Sequence, residues 1–145
     1  MLHRMVLAAR STIDTGPGAL NGAFGSVLAC CMRSSVAEGL TGGLVVEDGW
    51  FLEVLEGGFD ALCAYRDRAF EDDRLDDLQV LEVVPVLQRE YETWAIAASK
   101  AGTAQPGLIR AVSDKLSGPF AVSQHVRRVL MRGVLAETPP LCVAA

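Results

Sequence analysis

No apolar run in this 145-residue chain reaches the length needed to span a bilayer. Met1-Leu2-His3-Arg4 leads straight into strand-like sequence and does not read as a signal peptide. No basic run or stripe offsets the excess of eighteen acidic over thirteen basic residues, a net charge of -5, so a nucleic-acid partner is not expected. The four cysteines show no Cys-x-x-Cys spacing, and the two histidines, His3 and His125, stand far apart with no neighbour at ligand spacing. No metal site is expected, and the histidines read as structural or exposed. A serine, histidine and acid trio, a phosphate loop and a glycine-rich nucleotide fingerprint are also missing, so the expectation is not an enzyme. These absences together suggest a soluble cytoplasmic setting with the cysteines as core thiols; Cys31 continues a helical stripe.

What is present suits a globular domain, with half of the residues hydrophobic and 21% charged. The length allows one ordinary core. Leu2 to Ala9 is a nearly continuous apolar run, the pattern of a strand buried on both faces. After a break at Asp14 to Pro17, Leu20, Phe24, Val27, Leu28 and Cys31 recur at helical steps, and Ser34 and Ser35 close that helix. Leu40 to Gly57 reads as two apolar strands joined at Asp48-Gly49, a strong hairpin signal. Phe59 to Phe70 is a second helix with Leu62, Tyr65, Ala69 and Phe70 on one side; an acidic loop, Glu71 to Asp77, follows it. Leu78 to Val86 and Tyr91 to Ala98 complete the strands.

The order β-α-β-β-α-β predicts an α+β fold, a ferredoxin-like sandwich with an added strand and C-terminal helices. The domain is expected over 1–100, a helical extension over 101–136 and a loose tail over 137–145. Two apolar stripes, Leu108, Ile109, Val112, Leu116 and then Val122, Val126, Val129, Leu130, are the candidates to cover the second sheet face, which carries Val45, Trp50, Leu52 and Val54. A homodimer partner could share that task.

With Asp48 and Gly49 as the loop, Leu44 faces Glu53, and Glu53 falls on one face with Leu44, Val46, Phe51 and Leu55. A carboxylate on an apolar face is costly unless it is satisfied, so Glu53 marks a candidate site. Burial would raise its pKa and leave a neutral acid that both donates and accepts, bonded to the Ser34 and Ser35 hydroxyls or to a ligand. The alternative is a frayed strand that lets the carboxylate reach solvent.

Leu2-His3-Arg4-Met5-Val6, Leu40-Thr41-Gly42, the run Gly49 to Gly57 and Trp94 after Tyr91 resemble a BLUF domain, the flavin-dependent blue-light sensor. The resemblance covers about two-thirds of the chain. It implies FAD held between the two helices against the sheet, with Leu7, Ser34, Ser35, Glu53, Asp72, Arg74, Trp94 and Ile96 at the family's cofactor positions. The family's photochemistry uses a tyrosine where this chain has Leu7, and a glutamine where it has Glu53. Its asparagines stand at Ser34 and Ser35, and a methionine at Ile96. Glu71 and Leu75 replace a basic residue and a histidine, whereas Asp72, Arg74 and Trp94 match. The resemblance therefore implies a sensory or regulatory protein whose photoactive residues are replaced, signalling to a protein partner. A flavin-free interaction module and a carrier of another small ligand anchored by Glu53 remain the alternatives.

Overall fold

The computed structural model describes residues 1–12, 35–99 and 107–136. Five strands form one sheet: β1 (Leu2–Ser11), β2 (Thr41–Glu47), β3 (Trp50–Gly58), β4 (Leu75–Pro85) and β5 (Trp94–Ser99). Their spatial order is β4-β1-β3-β2-β5. Every neighbouring pair is antiparallel except β2 with β5, which is parallel. The first four strands thus have the split βαβ arrangement expected from the sequence, and β5 is the added strand. Helix α1 (Phe59–Glu71) joins β3 to β4, and α2 (Leu108–Ser113) and α3 (Pro119–Ala136) follow the sheet. The first helix, with Leu20 to Cys31 and Ser34, lies outside the described residues apart from its last turn at 35–37. The tail beyond Ala136 also lies outside them.

Central position explains the composition of β1: paired on both sides and covered on both faces, it buries Met5 through Ala9 completely. The hairpin register is the one read from the sequence, with Glu47 opposite Trp50, Val46 opposite Phe51 and Leu44 opposite Glu53. Asp48 and Gly49 both take positive φ, 49° and 79°, as the twist-matched two-residue turn requires. Gly49→Ala is expected to destabilise the fold by about 1–2 kcal/mol in a denaturant titration, the cost of a left-handed conformation for a residue with a Cβ.

Two apolar layers flank the sheet. On one side Met5, Leu7, Leu44, Val46, Phe51, Leu55, Trp94 and Ile96 form a core with Leu40 and Leu62 of α1. On the other, Val6, Ala8, Val45, Trp50, Leu52, Val54 and Ala97 meet Leu108 and Val112 of α2 and Val122, Val126, Val129 and Leu130 of α3. The chain's own C-terminal helices therefore cover the second face. Each fully buried aliphatic side chain contributes about 1.5–3 kcal/mol of transfer free energy, so the covering is strongly favoured.

Four expectations need correction. Strand β4 starts at Leu75, so Asp76 and Asp77 belong to a strand and not to an acidic loop. As an edge strand it can expose polar groups, and Asp76 meets Arg10 of β1 at 2.7 Å. The fifth strand starts at Trp94, because the Glu90 and Tyr91 amides donate to the Glu56 carboxylate at 2.8–3.1 Å. Phe70 is 60% exposed: eight positions past Leu62, it sits roughly 80° round the helix from it. Leu116 is 80% exposed because α2 has ended and the helical period no longer applies.

Candidate functional site

Three elements bring the predicted residues together. In β3, strand alternation aims Glu53 at the layer beneath α1, where it is only 6% exposed. Pairing across the sheet places Ile96, Leu44, Glu53, Leu7 and Val80 in one continuous row, each opposite the next. Glu53 is the one polar side chain in that row. Its carboxyl is satisfied from the helix above, where the Tyr65 hydroxyl donates to Oε1 at 2.6 Å. The sequence reading placed Tyr65 on the inner face of α1 but did not pair it with Glu53. Nor does the strand fray: the carboxyl stays inside.

Burial pushes the Glu53 pKa up to about 7, partly opposed by the Tyr65 hydrogen bond, which favours the ionised form. Tyr65 in turn lies near-parallel to Trp94 with ring centroids 6.4 Å apart, and the Arg68 guanidinium carbon is 5.9 Å from the Tyr65 centroid. Trp94 is buried, and its indole Nε1 has no hydrogen-bond partner among the described residues.

Ser35 is buried at the end of the preceding helical turn. Its carbonyl accepts the Leu40 amide at 2.9 Å while Gly39 donates to Val36, a closed C-terminal turn that feeds directly into β2. Ser34 lies outside the described residues. Asp72 and Arg74 form their own unit past α1. The guanidinium meets both carboxylate oxygens at 2.7 and 2.6 Å, and this contact holds the Asp72 carboxyl below its ordinary range. Of the predicted residues, then, Leu7, Glu53, Trp94 and Ile96 share one apolar layer, and Asp72 and Arg74 pair with each other.

The sequence motifs have local explanations. In Leu40-Thr41-Gly42, Leu40 is buried, the Thr41 hydroxyl accepts from Arg89 at 2.7 Å, and Gly42 runs hard against β3. Arg89 also donates to the Glu56 and Gly39 carbonyls at 2.9 Å, tying the start of β2 to the end of β3. Glu56 is buried, and desolvation raises its pKa against the pull of the Tyr91 amide and of Arg4, Arg89 and Arg127. Arg127 of α3 closes the network through an ion pair with Glu90.

One buried pair escaped the sequence reading. His125 of α3 is completely buried, and its Nε2 lies 2.8 Å from Oε1 of buried Glu47 at the end of β2. Strand alternation could have placed Glu47 on the second face beside Val45; nothing local in the sequence linked it to a residue 78 positions away. No group of three histidine, cysteine or acidic side chains among the described residues could hold a metal ion. No described helix is long and apolar enough to cross a membrane.

This fold and site can be set against known proteins. In structural comparison the chain is similar to BlrB, a BLUF protein in its dark state, at 18% identity and a TM-score of 0.62, covering 90% of this chain and 96% of that one. It is similar to BlsA in the ground state at 16% identity and a TM-score of 0.63, covering 95% and 91%. A bacterial light-regulated adenylyl cyclase matches at 18% identity and a TM-score of 0.58, but the match spans only 36% of that longer chain. At these identities the likeness shows the fold. Comparison with curated proteins finds no match. The family model described as sensors of blue-light using FAD matches residues 11–97. This chain belongs to the BLUF family.

Proposed function

We propose that this chain is a BLUF-family regulatory protein in which the family's tyrosine-to-flavin-to-glutamine light relay does not run. The observation that carries the reading is the pairing of Leu7 with Glu53 across β1 and β3. Leu7 and Glu53 stand at the positions that the resemblance assigns to the redox tyrosine and the switch glutamine. Leucine has no hydroxyl and no accessible oxidation, so the first electron and proton donor is missing. A buried carboxyl has no amide to rotate.

The described residues do not fit the family's grip on FAD. Leu7 and Ile96 would give a flavin ring an apolar wall, and Trp94 Nε1 has no acceptor among the described residues. The Glu53 carboxyl, however, is already engaged by Tyr65, and Ser35 is shorter than asparagine by an amide. The retained Asp72 and Arg74 engage each other. No step is therefore assigned to flavin.

The signal is expected to leave through the C-terminal helices to a protein partner, with a homodimer as the working form in the cytoplasm. Mixing the purified chain with FAD and illuminating it with blue light tests the reading. No reversible shift of a flavin absorption band is expected. A shift that appears in light and decays in darkness would overturn it. The triple variant Leu7→Tyr, Ser35→Asn, Glu53→Gln is expected to take up more flavin than the parent chain.

A flavin-free interaction module is the second reading, favoured by the Tyr65 ring bonded to Glu53 and facing Trp94. A parent chain that stays colourless in excess FAD would select it.

A further inference from the structure

The sole described hydrogen bond to the Glu53 carboxyl crosses from the sheet to the helix layer. On the sheet its flanking residues are Leu7 and Leu44, neither titratable. From β5 the row presents Ile96, and from α1 the facing groups are Tyr65 and, beyond its ring, Arg68. Arg68 is turned to Glu38 at 2.6 Å and sits on the exposed side of the helix. No described cation contacts the Glu53 carboxyl.

We propose that buried Glu53 is a proton-operated latch between β3 and α1: the layer stays shut while the carboxyl is neutral and opens to water when it ionises, the cost of the buried charge outweighing the Tyr65 bond. This deepens the proposal above and rests on its reading that no flavin relay occupies Glu53. A neutral carboxyl suits the apolar row, and its carbonyl oxygen accepts from Tyr65. Ionised, it is a buried charge with one hydrogen bond and no counter-ion among the described residues, an expensive state that water would relieve. The cheaper layer to open is α1, since Leu62 is its one fully buried residue, whereas β3 is paired on both sides. A site that answers light in the family would here answer protons.

The direction with pH follows from linkage. The shut site holds the Glu53 proton up to about 7, whereas an open, hydrated carboxyl releases it near the ordinary 4.5. Between those values the shut state binds more protons than the open one, so raising the pH favours opening. The opening constant should rise roughly tenfold per pH unit from about 5 to 7 and level off above.

The experiment uses the full chain in the dark with no flavin added. Carbon NMR follows the Glu53 side-chain carboxyl, and amide hydrogen exchange, corrected for its intrinsic pH dependence, follows α1. A Glu53 midpoint near 7, with α1 exchange rising over the same window, is the expected result. Glu53→Gln should make corrected α1 exchange flat with pH. Tyr65→Phe should move the midpoint further up, because the lost bond favoured the carboxylate. A midpoint below about 5, or α1 exchange in Glu53→Gln that still follows the parent's pH profile, overturns the proposal. If Glu53→Gln does not fold, a midpoint unmoved or lowered by Tyr65→Phe overturns it. A light-driven flavin shift would instead sink the proposed function, so the two failures are distinguishable.

Discussion

Glu47→Ala is expected to destabilise the fold by about 1–3 kcal/mol, the usual cost of leaving a buried polar partner unsatisfied, before the lost packing is added. That is a large share of the 5–15 kcal/mol that holds an ordinary domain together. The reason lies in what would remain. His125 is 0% exposed and Glu47 1%, and the Nε2–Oε1 contact at 2.8 Å is the bond that joins them. Among the described residues neither Glu47 Oε2 nor His125 Nδ1 has a partner, so the site tolerates no further loss of satisfaction. Deleting the carboxylate leaves an imidazole under α3 with nothing to bond. Deleting the imidazole leaves the Glu47 carboxyl beside Val45 and Trp50 with its one bond gone.

The double variant Glu47→Leu, His125→Leu separates the two contributions. It removes both polar groups and restores volume, so it should recover most of the loss when compared with the singles in a double-mutant cycle of urea midpoints. A double variant as unstable as the sum of the singles would refute the account, since the cost would then be lost packing and not an orphaned group. The pair also anchors α3 to the end of β2, on the far side of the sheet from Glu53. Any signal that passes from the Glu53 layer to α3 must cross the strands that carry both.

How much of this was legible depends on whether the information was local. Asp48-Gly49 set the hairpin, the hairpin set the register, and alternation then put Glu53 inside an apolar face. Burial on both faces of β1 was written in its unbroken apolar run, and the stripe from Val122 to Leu130 marked the inner face of α3. Pairings between elements were not written anywhere. Tyr65 reads as one member of a helical stripe, and only the height of α1 above β3 brings its hydroxyl to Glu53. His125 reads as a solitary histidine until α3 lies across the end of β2. Asp76 and Asp77 misled for the opposite reason. Their polarity suits a loop, but an exposed edge strand permits it, and Arg10 answers one of the charges. Tyr91 looked like strand because of its type, yet its amide is taken by Glu56. The candidate site was therefore visible as a position and invisible as a contact.

Gly42→Ala is expected to cost about 3 kcal/mol or more, at or beyond the top of the usual range for overpacking. A Cβ on Gly42 would collide with the Val54 carbonyl oxygen and lie 3.0 Å from Leu55 Cα. Both are backbone atoms of the paired strand, so no rotamer change can make room. The strands must part or slip, and a slip of one residue would turn Leu44 and Glu53 to opposite faces. Gly43→Ala offers the control. Its Cβ would meet the ends of side chains, Leu130 Cδ1 and Val126 Cγ1 of α3 and the Tyr91 ring, which can give way. It should be the milder of the two and should loosen α3 while leaving the hairpin register intact. Denaturant midpoints rank the pair, and amide exchange of β2 and β3 against that of α3 locates each effect. Equal costs, or loss of protection confined to α3 in Gly42→Ala, would mean that the glycine of Leu40-Thr41-Gly42 is not there to let β2 close on β3. With the expected ranking, Gly42 is what lets Leu44 close on Glu53 from β2, and its substitution should also return the Glu53 midpoint from about 7 toward the ordinary 4.5 as the carboxyl regains water.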